Sequence, residues 1–120
     1  MVKPIGITVP CSTNEVSDKD FLEQDGSGAM RKIIASTPLG IAGTDKDAQN
    51  NVNMEVLALE RLPAEAASYN VGDIVEGNSS GVTAYSSGNK VGTAMETKTI
   101  STDYSGTDTL QVYINIPNLS

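Results

Sequence analysis

Residues 71–116 read VGDIVEGNSSGVTAYSSGNKVGTAMETKTISTDYSGTDTLQVYINI. Short apolar runs at 74–75, 82–85, 91–95 and 110–116 alternate with clusters of Gly, Ser, Asn and Asp. Each cluster is turn chemistry, and each run fits a pleated, half-buried strand. The last run is the clearest. Leu110, Val112, Ile114 and Ile116 face one way, Gln111, Tyr113 and Asn115 the other, and Pro117 follows. That is period two with one apolar face. The expected core is Ile74, Val75, Val82, Val91, Leu110, Val112, Ile114 and most of 52–59. Gly72 and Gly92 each precede or cross an apolar strand, where a positive φ or close backbone packing excludes a side chain.

Upstream, residues 52–62 (VNMEVLALERL) alternate at first, but Leu57 and Leu59 break the alternation. With no clear cap and a stop at Pro63, the reading favours a long strand buried on both faces over a helix. Residues 63–70 fit a single helical turn opened by Pro63. Residues 36–51 carry Pro38, Gly40, Gly43 and a polar run, so they are expected to be loop. In SDKDFLEQ (17–24), Ser17 and Asp20 have capping-box spacing. Asp25-Gly26 before Ile33-Ile34 instead favours a turn into a strand. Residues 1–16 are expected to form an extended arm. Pro4 and Pro10 suit an edge, and Ile5, Ile7 and Val9 alternate with Gly6 and Thr8. Pro4, Ile5, Ile7, Val9 and Pro10 are therefore the candidate partner-contact residues.

The 120 residues suffice for one domain, burying roughly 65% of the surface exposed by the unfolded chain. Its only aromatics are Phe21 and four tyrosines, which makes a thin core that gains from burial against a copy or partner. The net charge of −7 repels phosphate backbones and anionic membrane surfaces, so neither nucleic acid nor membrane is an expected partner. No apolar run approaches the ~18 residues of a membrane span. The N-terminus lacks a long apolar stretch and a cleavage site, so it does not read as a signal peptide and synthesis inside a cell is expected.

The chemistry-bearing patterns are sparse. Cys11 is the one cysteine, which excludes an intrachain disulfide, and with no histidine it reads as a small inert residue. The pairs Asp18/Asp20, Asp45/Asp47 and Asp103/Asp108 lie in polar, Gly-rich surroundings that supply neither burial nor a charged partner. The turn 103–108 places two carboxylates near a glycine without calcium-loop spacing. Gly26/Gly28 and Gly77/Gly81 lack the strand–loop–helix setting of a phosphate cradle. No catalytic residue, cofactor or metal site is expected.

Two resemblances bear on function. VGDIVEG followed by TAMET is similar to biotinyl and lipoyl carrier domains, but Met95 is followed by Glu96 and Thr97 where a carrier has its acceptor lysine, and Lys98 is out of register. Gly72-Asp73-Ile74-Val75, Gly81-Val82, Val91-Gly92-Thr93-Ala94 and the strand Leu110-Gln111-Val112-Tyr113-Ile114 resemble small capsid decoration (cement) proteins of tailed bacteriophages over roughly 55–116. That family has no catalytic motif, so no functional residue is carried over.

The resulting expectation is a mainly β chain. Residues 17–120 form one β-sandwich or β-barrel-like (β-tulip-type) domain with at most one or two short helices, preceded by the 1–16 arm. The resemblance implies a non-enzymatic virion protein that binds the outer capsid surface. Its partners would be the major capsid protein and its own copies, as a homotrimer first and a dimer next. The alternative is a head- or tail-fibre adhesin domain binding host-surface glycan, which the few aromatics disfavour. The carrier domain stands third.

Overall fold

The computed structural model describes residues 5–11, 16–24, 26, 28–34 and 37–116. The chain is mainly β, and no α-helix occurs among the described residues. Eleven strands run β1 (Ile5–Pro10), β2 (Phe21–Gln24), β3 (Met30–Lys32), β4 (Gly40–Ala42), β5 (Asn51–Pro63), β6 (Ala67–Tyr69), β7 (Ile74–Gly77), β8 (Val82–Ala84), β9 (Lys90–Ala94), β10 (Lys98–Ile100) and β11 (Thr109–Asn115). Nine form one sheet, ordered β3-β2-β4-β5-β11-β9-β7-β8 with β1 also on β5, while β6 and β10 form a separate pair. The large sheet curls into a half barrel. Isolated parallel bridges join Cys11 to Met30 and Ala64 to Val82.

The axis of the molecule is β5, thirteen residues long. Its first half pairs antiparallel with β1 and its second half with β11. At Met54 and Glu55 it also pairs with β4, so both edges are occupied there. The β1 register jumps from Gly6–Glu55 to Ile5–Leu57, skipping Val56. This bulge inverts the alternation of β5. Val52 and Met54 pack with Val9, Cys11, Val16, Leu22 and Ala42. Ala58 and Leu62 pack in the larger cluster with Phe21, Ile41, Val75 and the buried face of β11. The disrupted pattern in VNMEVLALERL is this bulge.

Strands β2 and β4 lie between the two clusters. Phe21 and Ile41 join one, while their neighbours Leu22 and Ala42 join the other. β11 follows its period: Leu110, Val112, Ile114 and Ile116 are buried, and Gln111, Tyr113 and Asn115 are half-buried on the other face. Gly92 is required by close approach, since a Cβ there would lie 2.1 Å from the Tyr113 carbonyl oxygen. Gly72 is required by its φ of 96°.

Some expectations need correction. Ile74 is 45% exposed, because only one of two consecutive strand residues can point inward and Val75 takes that place. Leu59 is also exposed, so burial within 52–59 is incomplete. The helical turn at 63–70 is replaced by β6: Pro63 ends β5, Glu65 N–H donates to the Val82 carbonyl, and Asp103 Oδ1 accepts from Ala66 N–H. The 36–51 loop contains β4, too short at three residues to show a period. Ser17 N–H donates to the Asp20 carboxylate as in a capping box, but Asp20 N–H returns to the Ser17 carbonyl instead of its hydroxyl, and Lys19 at φ 74° turns the chain into β2 instead of a helix. Between β2 and β3, which pair antiparallel, Gly26 takes φ 96°. Pro4, Asp25 and Pro117 lie outside the described residues.

Ile114→Ala removes a fully buried side chain from the larger cluster. It is expected to cost about 2–5 kcal/mol in urea titration. Gly92→Ala drives a methyl into the β11 backbone and is expected to lower the thermal midpoint clearly, because a carbonyl cannot step aside as a flexible side chain can.

Candidate functional site

The strand registers bring exposed apolar side chains together on one face. Directly opposed strand residues project to the same side. Leu59 lies opposite Tyr113, Tyr113 opposite Thr93, and Thr93 opposite Ile74. Leu57 continues the row along β5 and lies opposite Ile5, with Ile7 two residues further on that face. The outcome is an uncharged band across five strands, in which Ile5, Ile7 and Leu59 are 56%, 62% and 37% exposed. From β7 to β5 it spans three strand spacings, about 14 Å. Contiguous exposed apolar surface of this kind marks contact sites.

Among the candidate partner-contact residues, Ile5, Ile7 and Pro10 are exposed, while Val9 is buried in the smaller cluster. Residues 5–10 are docked on β5 of their own domain. Cys11 N–H donates to the Asn50 carbonyl, so by antiparallel alternation Val9 and Ile7 bond to β5 while Gly6, Thr8 and Pro10 direct their backbone outward. Pro10 therefore lacks its N–H on the side away from β5, where no β5 carbonyl needs it.

At the β7 end, Asp73, Ile74, Ala84, Tyr85 and Lys90 line a shallow hollow of about 390 Å³. Tyr85 is exposed, and the Lys90 ammonium sits 5.1 Å from its ring centre in a cation–π contact.

On the other side of β5 lies a buried carboxylate, Glu55, beside the half-buried Glu60. Glu55 is 7% exposed, and its Oε1 has no hydrogen-bond partner. Its Oε2 lies against Gly43, where a Cβ would come within 2.6 Å. The Lys19 ammonium donates to Glu60 Oε1 in a short ion pair, with Asp18 3.9 Å away. Burial, then the hydrogen bond and charge of Glu60, push the Glu55 carboxyl up to about 7, against the pull of Lys19. Burial lowers the Lys19 ammonium, but the hydrogen bond and charge of Glu60, with Asp18 and Glu55, outweigh it and leave it raised. This group can exchange a proton near neutrality. Its free oxygen is shielded from solvent, so it offers no surface to a substrate. A second buried acid, Glu23, accepts from Arg31 Nε at 2.8 Å and from Ile34 N–H at 3.0 Å.

The remaining acidic pairs serve the turns. Asp20 accepts from Ser17 N–H, and Asp45 from Asp18 N–H. Asp47 accepts from Gln49 and Asn51 N–H. Asp103 caps Ala66, while Asp108 pairs with Lys98 at 2.9 Å, an interaction that holds its carboxyl below the usual range. Among the described residues no three possible metal-ligating side chains cluster. Burial pushes the Cys11 thiol up, away from the reactive thiolate. No protein-family model matches the chain, and no curated protein is detectably similar to it.

The linkage of Glu55 to pH has a definite sign. Its folded pKa is raised from 4.5 to about 7, so its contribution is fully present below about 4.5 and is lost as pH rises through about 7. Glu55→Gln is expected to match the parent near pH 4 and to exceed it by up to about 3 kcal/mol at pH 8. Urea titrations at both pH values measure this.

Proposed function

We propose that the chain is a non-enzymatic virion protein, a decoration subunit that binds the outer surface of a tailed-phage capsid and stabilises it together with copies of itself. The observation that carries this reading is the edge of β1 away from β5, which from Ile5 to Thr8 has no strand partner among the described residues. Its outward Gly6 and Thr8 backbone groups flank an exposed, uncharged strand that is ready to accept a strand of the major capsid protein. The resemblance adds support, because its residues occupy the turns and strands that make the body rigid: Gly72 in the turn before β7, Gly92 against β11, and the buried face of β11. A shell presents many equivalent sites, so a modest contact per subunit holds through multivalency. The acidic charge of −7 keeps the subunit away from packaged nucleic acid and from membranes.

A second reading, recognition of a host-surface glycan, draws on the hollow beside Tyr85. The exposed ring there offers a stacking face, and Asp73 and Lys90 offer polar partners.

Empty tailed-phage heads free of other decoration proteins provide the test. Co-sedimentation and negative-stain microscopy are expected to show saturable binding on the outer surface. Thr8→Pro removes one of the two outward donors without touching the β5 pairing, so it is expected to fold and to weaken binding by roughly tenfold. Wild-type protein that leaves heads bare overturns the proposal.

A further inference from the structure

We infer that the band of Leu57, Leu59, Tyr113, Thr93 and Ile74 is where a second copy of this chain docks, sheet face against sheet face. The inference rests on the self-association part of the reading above and is independent of the shell. Three observations carry it.

The first is position. Each of these residues is fixed on one face by the β5–β11–β9–β7 registers, and that face is left open over the second half of β5. Over the first half, the same face is covered by the smaller cluster around Val52 and Met54. The bulge at Val56 is what separates the covered half from the open one. Among the described residues, Leu59 and Ile74 remain exposed.

The second is charge. The band itself carries none. Beside it stand Arg61 and Lys90 against Asp73, Glu76 and Glu96, two cations against three acids. Arg61 and Glu96 pair at 3.0 Å, and Glu76 accepts from Ser86 and Gly88 N–H. Nearly all of the net −7 therefore lies elsewhere. Two like-charged copies can meet at this face with little repulsion, whereas a basic partner is drawn to the acidic remainder.

The third is symmetry. One continuous patch is complementary to itself about a two-fold axis, while a closed ring of three needs two different patches. The geometry thus points to a pair in place of the trimer that capsid symmetry suggests. Two twisted sheets meeting this way stack about 10 Å apart, with Leu59 and Tyr113 interdigitating near the axis.

Sedimentation equilibrium on the wild-type protein and on two variants tests this. Wild type at tens of micromolar is expected to show about twice the 12.5 kDa of one chain. Leu59→Lys places two like charges near the axis and is expected to weaken association by roughly tenfold or more. Ile74→Thr, at the band's end, keeps a β-branched strand residue and is expected to weaken it less. Circular dichroism melts establish that each variant is folded, and if Leu59→Lys is not, Tyr113→Ser takes its place. Monomeric wild type overturns self-association altogether. Wild type that pairs, with folded variants that pair equally well, overturns this face alone. Failure to bind heads, measured separately, bears only on the shell reading.

Discussion

The structure depends on the double duty of β5. A single strand must bury one face in its first half and the opposite face in its second, because the two hydrophobic clusters lie on opposite sides of the sheet. The bulge at Val56 accomplishes this with one extra residue. Without it, Ala58 and Leu62 would face the side of Met54 and the larger cluster would lose its floor. The glycines around that point follow from the same crowding. Gly6 lies against the Met54 carbonyl and Gly40 against the Met54 side chain, so both neighbouring strands approach β5 more closely than a Cβ permits.

The same inversion places the polar and apolar features used above. It sets Glu55 toward Glu60 and Lys19, in surroundings where an ionised carboxylate is poorly solvated. It also turns Leu57 and Leu59 outward, where the cross-strand partners of β11, β9 and β7 extend them into a band. A buried proton-binding group and an exposed apolar face thus share a cause in backbone geometry. Glu23 differs: its carboxylate is matched by Arg31 and a backbone N–H, the arrangement by which a buried charge is ordinarily satisfied.

Much of the fold was legible wherever one residue in two is apolar. β11 reads directly from LQVYINI, and β1 from IGITV. The long strand at 51–63 was legible in extent, and its broken alternation was a true signal of the bulge. Three-residue strands such as β4 and β6 carry no period, because pairing with neighbours distant in sequence makes them strands. Ile74-Val75 shows the limit of composition: two adjacent β-branched residues announce a strand without saying which faces the core. The band was not legible, since its members come from five strands whose registers no local pattern records. Glu55 left a faint trace, a lone acid within the apolar run NMEVLAL.

Pairing distance along the chain has a consequence for synthesis. β5 ends at Pro63, yet the strand that covers its second half begins at Thr109. As the chain emerges from a ribosome, Ala58 and Leu62 wait through the translation of β6 to β10 with that edge open. Closure of the larger cluster therefore waits for the translation of β11, and it is a slow step by topology. Until then the nascent protein presents an unpaired, apolar strand, the kind of edge through which unfinished chains aggregate.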